Sequence, residues 1–148
     1  MAYNVYESCL EFKRKYPLTI GWRLKKHCKV IEEHINKDEV VLFTFFGQKN
    51  ASLTSPFYTT VVTFTNKRML LGRKRFFGRY YYISITPDML NDFTLRNGFF
   101  FGSVHVDTVK ENFAMTCLSK KSLSDIEDAV SKYLVDEKLK LLKRKESN

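Results

Sequence analysis

The stretch FTNKRMLL, from Phe64 to Leu71, places a short polar segment between two apolar runs. Upstream of it the chain alternates in the period-2 pattern of a half-buried strand, with Tyr58, Thr60, Val62 and Phe64 on one face. Asn66 tolerates the left-handed backbone of a tight turn, and Met69 resumes the apolar run. The stretch therefore predicts a β-hairpin, and the neighbouring strands can be assigned outward from it.

Strand patterns continue on both sides of this hairpin. The segment from Glu39 to Gly47 is so apolar that both of its faces are expected to be covered, and a polar loop from Gln48 to Pro56 follows it. Pro87 is expected to close a later strand, because proline cannot donate to a sheet ladder. The full set of predicted strands is Glu39–Gly47, Tyr58–Thr65, Met69–Lys74, Tyr80–Thr86, Met89–Arg96, Gly102–Asp107 and Phe113–Cys117.

Helical periodicity is confined to the two ends of the chain. A short first helix is indicated by Tyr3, Tyr6, Cys9 and Leu10, and a second by Leu24, Cys28, Ile31 and Ile35. A closing helix starts near Ser122, and its apolar stripe is Ile126, Ala129, Val130, Tyr133 and Leu134. We therefore divide the chain into a helical extension over residues 1–38, a main domain over residues 39–136 and a basic, fraying tail over residues 137–148.

These elements predict a mainly β, α+β fold. Seven short antiparallel strands without intervening helices favour a bent sandwich or open barrel, capped by the C-terminal helix and preceded by the N-terminal helical extension. The 148 residues suffice for one core, and the aromatic content of 15% is typical of pleated strands.

Three widely spaced cysteines, Cys9, Cys28 and Cys117, do not form a disulfide framework, which favours a reducing cytoplasm. The N-terminal residues contain Glu7 and no apolar stretch of signal-peptide length, and no apolar run is long enough to span a membrane. We expect a cytoplasmic protein that can lie at the membrane periphery.

Charge is distributed unevenly along the chain. The formal net charge is +9, and no acidic residue occurs between Glu39 and Asp88. A surface of one sign attracts phospholipid headgroups, nucleic acid or acidic proteins. A solvated basic face without a specific partner is the alternative.

Four parts of the sequence carry a family resemblance. They are the hairpin from Phe64 to Leu71, the strand Ile83-Ser84-Ile85, the turn from Gly98 to Gly102 before Val104-His105-Val106, and the helix from Ser122. Together they resemble the bacterial pleckstrin-homology-like domains, relatives of PH and GRAM domains. The resemblance covers about residues 39–135. It implies a PH-like fold and a binding module rather than an enzyme. We expect no cofactor.

The resemblance also implies where a ligand would bind. In lipid-binding PH domains the headgroup lies among three inter-strand loops, which correspond here to Gln48–Phe57, Arg75–Arg79 and Val109–Asn112. The paired basic residues expected early in the second strand are absent, since Thr59, Thr60 and Val61 stand there. The basic residues concentrate later, between Arg73 and Arg79.

The sequence RKRFFGR, from Arg73 to Arg79, is the sharpest candidate site. Cations flank two aromatic rings at a turn, which can insert the rings at a membrane interface while the cations meet phosphates. The candidate ligand-binding residues are Lys49, Arg73, Lys74, Arg75, Phe76, Phe77, Arg79 and Lys110. Anionic lipid headgroups or an acidic protein are the expected partners.

Other functions remain open at this point. Phe76, Phe77, Tyr80 and Tyr82 could stack on nucleic-acid bases, and Phe99-Phe100-Phe101 would form an apolar patch for a homo-oligomer if only one ring points inward. The outward trio Ser103, His105 and Asp107 shares a strand face, but a solvated polar face explains it better than catalysis. His27 and His34 are two helical turns apart, too far for a shared metal site.

Overall fold

The computed structural model describes residues 4–50 and 58–146. Within these ranges the elements are α1 (Val5–Lys15), α2 (Leu24–Glu32), β1 (Val41–Lys49), β2 (Thr59–Thr65), β3 (Met69–Lys74), β4 (Tyr80–Ile85), β5 (Leu90–Asn97), β6 (Gly102–Thr108), β7 (Asn112–Leu118) and α3 (Ser122–Glu146). A 3-10 turn, Pro87–Met89, separates β4 from β5.

The strands form one open sheet in the order β4-β3-β2-β1-β7-β6-β5, and all of the pairings are antiparallel. The predicted fold class is therefore confirmed: the chain is mainly β, with seven antiparallel strands and helices at both ends. The strands from β1 to β4 follow one another as a meander, and short turns connect β2 to β3 and β3 to β4.

The hairpin between β2 and β3 is present as predicted. Phe64 pairs with Met69, and the Thr65 backbone N–H donates to the Arg68 carbonyl at 2.9 Å. Asn66, however, does not adopt the expected left-handed backbone. Its side chain instead accepts a hydrogen bond from the Val40 N–H at 2.8 Å, which ties the turn to the start of β1.

Strand β2 is not half-buried as the alternation suggested, because every residue from Thr59 to Thr65 is buried. The N-terminal helices cover the face that was expected to meet solvent. The threonine hydroxyls there find partners: Thr63 pairs with Thr44 at 3.1 Å, and Thr59 accepts from the Gln48 amide at 2.8 Å. A buried polar face is tolerated because its groups are hydrogen-bonded.

Strand β1 also differs from its predicted limits. It begins at Val41, and it continues through Gln48 and Lys49, which pair with β7 and do not belong to a loop. Both faces are buried from Thr44 onward, as predicted, but Leu42 is exposed. Residues 51–57 of the predicted loop lie outside the described residues.

Helix α1 packs on the sheet through its aromatic residues. The Phe12 ring lies 5.5 Å from that of Phe46 and 5.1 Å from that of Tyr16. The buried residues of α1 are Val5, Ser8, Cys9 and Phe12, whereas Tyr6 and Leu10 of the predicted stripe are partly buried and Tyr3 lies outside the described residues. Cys9, Cys28 and Cys117 are all buried free thiols.

Helix α2 approaches β3 closely because Gly72 has no side chain. A Cβ at this position would lie 2.6 Å from Cγ1 of Ile31, which is closer than real Cβ atoms approach another atom. Leu24, Cys28 and Ile31 are buried as predicted. The extension and the sheet thus contribute to one continuous core.

Helix α3 covers another part of the sheet. Ile126 and Val130 are buried, and the Tyr133 ring packs 5.4 Å from that of Phe64. At its first turn, Asp125 accepts from Lys15 at 2.7 Å and also from Tyr16, which links α3 to α1. The helix continues beyond Asp136, through the segment assigned to the basic tail, and ends at Glu146.

The two edge strands of the described sheet, β4 and β5, do not pair with each other. The outer edge of β4 instead faces the β6–β7 turn, and we call this line of contact the seam along β4. Side chains connect its two sides. Lys110 Nζ donates to the Ser84 carbonyl at 2.7 Å, and the Tyr81 hydroxyl donates to the Glu111 carboxylate. The seam is therefore held by side chains, unlike the strand pairs elsewhere in the sheet.

A buried ion pair joins the hairpin to the rest of the fold. Glu39 Oε1 accepts from Arg68 Nη2 at 2.6 Å, and Glu39 Oε2 accepts from the Thr65 hydroxyl at 2.7 Å. Arg68 also donates to the His34 carbonyl and to the Ser84 hydroxyl. Burial alone would raise the pKa of Glu39, but the hydrogen bonds from Arg68, Thr65 and the Asn36 backbone outweigh it and lower that pKa.

We predict that Glu39→Ala destabilises the protein by about 3 kcal/mol, because Arg68 keeps its charge in a largely buried position without a carboxylate partner. Denaturant unfolding followed by circular dichroism measures the change. Asp38→Ala is the matched control, since the neighbouring Asp38–Lys67 pair is exposed on both sides and its loss is expected to have little effect. Equal effects of the two substitutions would contradict the structural role of the Glu39–Arg68 pair.

Candidate functional site

The β3–β4 turn presents an aromatic ring at its tip. The Arg75 N–H donates to the Arg79 carbonyl at 2.8 Å and closes the turn. Gly78 has a φ of 76°, and Phe77 has a φ of 60°. The Phe77 side chain is 100% exposed.

This conformation is unfavourable for Phe77 in two ways. A bulky L-residue in the left-handed region is strained by about 1–2 kcal/mol, and an exposed aromatic ring gains nothing from burial. Backbone strain concentrates at functional positions, where the surrounding structure holds it in place. Phe77 therefore makes the turn tip a candidate contact surface.

Four of the predicted site residues share this turn. Arg75, Phe76, Phe77 and Arg79 are exposed, and Lys74 at the end of β3 is partly buried. The guanidinium of Arg23, at the start of α2, lies 5.2 Å from the ring centroid of Phe76. The turn lies where the sequence predicted it, but the sequence did not indicate that Arg23, at the start of α2, contacts Phe76.

Arg73 is not at the surface, in contrast to the prediction. It is only 7% exposed, and its guanidinium lies 5.6 Å from the ring centroid of Tyr58 and 5.2 Å from that of Tyr81. Burial lowers the pKa of Arg73, and the neighbouring Arg75 lowers it further. A charge reversal that includes Arg73 would therefore place a carboxylate in the interior, so it cannot serve as a surface test.

Lys49 and Lys110 also have structural partners. Lys49 is buried, forms a 3.3 Å ion pair with Glu111, and lies 4.5 Å from the ring centroid of Tyr81. Lys110 contributes to the seam along β4. Lys49 and Arg73 both contact the Tyr81 ring, so they belong to an interior cluster behind the turn and not to its surface.

A cleft of about 620 Å³ lies beside the turn, between the start of α2 and the end of β3. Its lining residues are Trp22, Arg23, His27, Tyr58, Arg73, Lys74, Arg75 and Phe76. Sequence reasoning missed the first four. The signals available were the single tryptophan of the chain and the basic residues at the start of the second helix, but only the tertiary packing brings them to β3.

His27 connects α2 to the end of β3 inside this cleft. Its Nδ1 accepts a hydrogen bond from the Lys74 backbone N–H at 2.8 Å, so this nitrogen is unprotonated. Burial lowers the pKa of His27 to about 4, and the charges of Arg23 and Arg73 act in the same direction. His27 is thus a neutral structural group at physiological pH.

The polar trio on β6 is connected only in part. Ser103 Oγ lies 3.3 Å from His105 Nε2, but Asp107 forms no hydrogen bond with that ring. Among residues 4–50 and 58–146, no group of three His, Cys, Asp or Glu side chains is placed to hold a metal ion. Tyr82 stacks on His34 with centroids 3.9 Å apart, so this ring is not free to stack on a base.

Comparison with protein families identifies the class. The profile of the bacterial PH domain family matches residues 35–132. This match includes all seven strands and the first part of α3, and the chain therefore belongs to the bacterial PH domain family. The predicted resemblance is confirmed, although the match excludes α1 and α2.

Two solved structures share the fold. One is a pleckstrin homology domain from Shewanella amazonensis, with 14% identity and a TM-score of 0.52, covering 71% of this chain and 92% of that one. The other is a protein with a pleckstrin-homology domain from Shewanella loihica, with 11% identity and a TM-score of 0.50, covering 72% of this chain and 91% of that one. At these identities the likeness concerns the fold alone.

No curated protein matches the sequence. In the part of the chain that the structure describes, no helix combines the length and apolar character that crossing a membrane requires.

We predict that His27 makes stability depend on pH. The unfolded chain takes up a proton near pH 6.5, whereas the folded protein excludes it until about pH 4, so the contribution is complete above pH 6.5 and is lost as the pH falls. Between about pH 7.5 and about pH 5 this loss amounts to roughly 2 kcal/mol. Denaturant unfolding of the wild type and of His27→Gln at the two pH values measures it, because glutamine can accept the Lys74 hydrogen bond without titrating. An identical pH dependence in the two proteins would contradict the prediction.

Proposed function

We propose that the protein is a non-catalytic binding module that contacts an anionic membrane surface through the β3–β4 turn, defined as residues 75–79. The observation that carries this proposal is the fully exposed, left-handed Phe77 at the tip of the turn. Its ring would enter the interfacial region of the bilayer, where burial compensates for its exposure in solution.

The charges around Phe77 support the same orientation. Arg75 and Arg79 flank the ring, and both are exposed. A basic residue near an anionic membrane surface contributes on the order of 1 kcal/mol, and this contribution decreases with salt. The turn therefore combines an apolar insertion with electrostatic attraction, and two weak signals together give stable peripheral binding. The module would act at the cytoplasmic side of a membrane.

An acidic protein could use the same arginines. Its binding, however, would not require a ring at the extreme tip of the turn. The contribution of Phe77 to binding therefore distinguishes the lipid surface from the acidic partner.

We predict that Phe77→Asn weakens binding to vesicles that contain phosphatidylglycerol by about thirtyfold, since insertion of a phenylalanine side chain contributes about 2 kcal/mol. Asparagine tolerates the left-handed backbone, so the same substitution is expected to raise the free energy of unfolding by about 1 kcal/mol. Co-sedimentation and denaturant unfolding measure the two effects. A loss of binding together with a gain of stability cannot arise from misfolding.

Phe100→Asn is the matched control, because it removes an equally apolar exposed ring from the β5–β6 turn, which lies away from the proposed contact. The double substitution Arg75→Glu and Arg79→Glu is expected to abolish the salt-sensitive part of the binding. Unchanged vesicle binding by Phe77→Asn, or binding to pure phosphatidylcholine of equal strength, would overturn the membrane proposal.

A second function, homo-oligomerisation, rests on the β5–β6 turn. Phe99 is 85% exposed and Phe100 is 76% exposed, while Phe101 is partly buried. The two exposed rings pack edge to face with centroids 4.6 Å apart, which makes them one apolar patch. Such a patch is typical of a contact between proteins.

If this patch joins two copies, the protein sediments as a salt-insensitive dimer, and Phe99→Ser with Phe100→Ser converts it to a monomer without changing vesicle binding. Analytical ultracentrifugation at several concentrations measures the association. A wild-type monomer at every concentration would exclude this second function.

A further inference from the structure

The cleft beside the β3–β4 turn differs from the turn surface in position and in composition. Trp22, Arg23 and His27 reach it from the N-terminal helical region, and these residues precede the segment that the family profile matches. The cleft is thus assembled by packing the N-terminal extension against β3. Phe77, by contrast, is not among its lining residues.

The lining of the cleft carries four cations and no carboxylate. Arg23, Arg73, Lys74 and Arg75 supply the positive charges, and the other described lining residues are neutral. Glu111, a carboxylate whose charge acts on Arg73, is already engaged by Lys49 and Tyr81. Four cations around one cleft create a positive potential that an anion would neutralise.

Arg73 is the strongest indication that an anion binds. Its side chain is more than nine-tenths buried, it forms no ion pair among residues 4–50 and 58–146, and its Nε has no hydrogen-bond partner among them. Its contacts there are aromatic rings. A buried guanidinium with an unpaired donor costs free energy, and an anion in the cleft would remove that cost.

The start of α2 adds to the positive potential. Arg23 is the N-cap of this nine-residue helix, it makes no side-chain capping hydrogen bond, and the first turn contains no acidic residue. Helix N-termini carry a partial positive charge and bind anions, and basic residues at that end are unfavourable without one. This end of α2 borders the cleft through Arg23.

Aromatic rings form the apolar part of the lining. Trp22, Tyr58 and Phe76 are each about half exposed, so their surfaces are accessible to a ligand. Tyr58 lies against the guanidinium of Arg73, and Phe76 against that of Arg23. Rings and guanidinium planes accept flat ligands by stacking, and the volume of the cleft is within the range of small-molecule sites.

We infer that this cleft binds a small organic phosphate with a planar aromatic body, of the size of a nucleoside monophosphate. Arg73 and Arg23 would hold the phosphate group, and Trp22 and Tyr58 would stack on the ring. This inference is independent of the membrane contact at Phe77.

The test uses the full chain and the fluorescence of Trp22, which is the single tryptophan and lines the cleft. The probes are adenosine monophosphate, ribose 5-phosphate, adenosine, inorganic phosphate and hexyl phosphate. Adenosine monophosphate is expected to change the fluorescence saturably and to bind at least about tenfold more tightly than ribose 5-phosphate, since only the former has a ring that stacks on the aromatic side chains. Adenosine alone is expected to produce no saturable change.

Arg23→Gln is expected to weaken the binding of adenosine monophosphate about tenfold, whereas Arg96→Gln, an exposed arginine on β5, leaves it unchanged. Arg73→Lys is a stronger test, and its folding is checked by circular dichroism. Should it fail to fold, Arg23→Gln and the ligand series still decide the outcome. Phe77→Asn is expected to leave this binding unchanged. The proposed ligand cleft and the proposed membrane contact can therefore be refuted independently of each other.

Three results would overturn the inference. The first is that none of the phosphates changes the Trp22 fluorescence. The second is that ribose 5-phosphate or hexyl phosphate binds as tightly as adenosine monophosphate, because the planar ring would then contribute nothing to the affinity. The third is equal binding by the wild type and Arg23→Gln.

Discussion

The ion pair between Glu39 and Arg68 joins four parts of this structure. Arg68 lies in the hairpin turn between β2 and β3, and Glu39 precedes β1, so the pair fixes the hairpin against the first strand. The further bonds of Arg68 to the His34 carbonyl and the Ser84 hydroxyl add the segment after α2 and strand β4. One guanidinium therefore links these four parts, and β4, which carries one side of the β3–β4 turn, is among them.

Much of the fold could be predicted because period-2 alternation and turn chemistry are local signals. The hairpin at Phe64–Leu71, the number of strands and the closing helix followed from them. The burial of β2 could not be predicted, since threonines facing α2 look the same in sequence as threonines facing water. Only the packing of the N-terminal helices distinguishes the two. That packing requires Ile31 to approach Gly72 closely, and these two residues are far apart in sequence.

The candidate site was predictable in part for the same reason. Charge and aromatic residues are contiguous from Arg73 to Arg79, so the turn was visible in the sequence. The burial of Arg73 was not, because it depends on the rings of Tyr58 and Tyr81, which only the folded sheet brings to its guanidinium. Trp22, Arg23 and His27 are about 50 residues away from the turn in sequence, and no periodicity relates two segments across such a distance.

The seam along β4 has a mechanical consequence. Separating any two paired strands breaks a ladder of backbone hydrogen bonds, but separating β4 from the β6–β7 turn breaks the bonds made by Lys110 and Tyr81 and leaves every ladder intact. Arg73 would stay beside the Tyr81 ring during such an opening, because the two residues are partners in the β3–β4 pairing. Movement along this line therefore needs no strand pair to separate, and the aromatic contact of Arg73 is kept while it occurs.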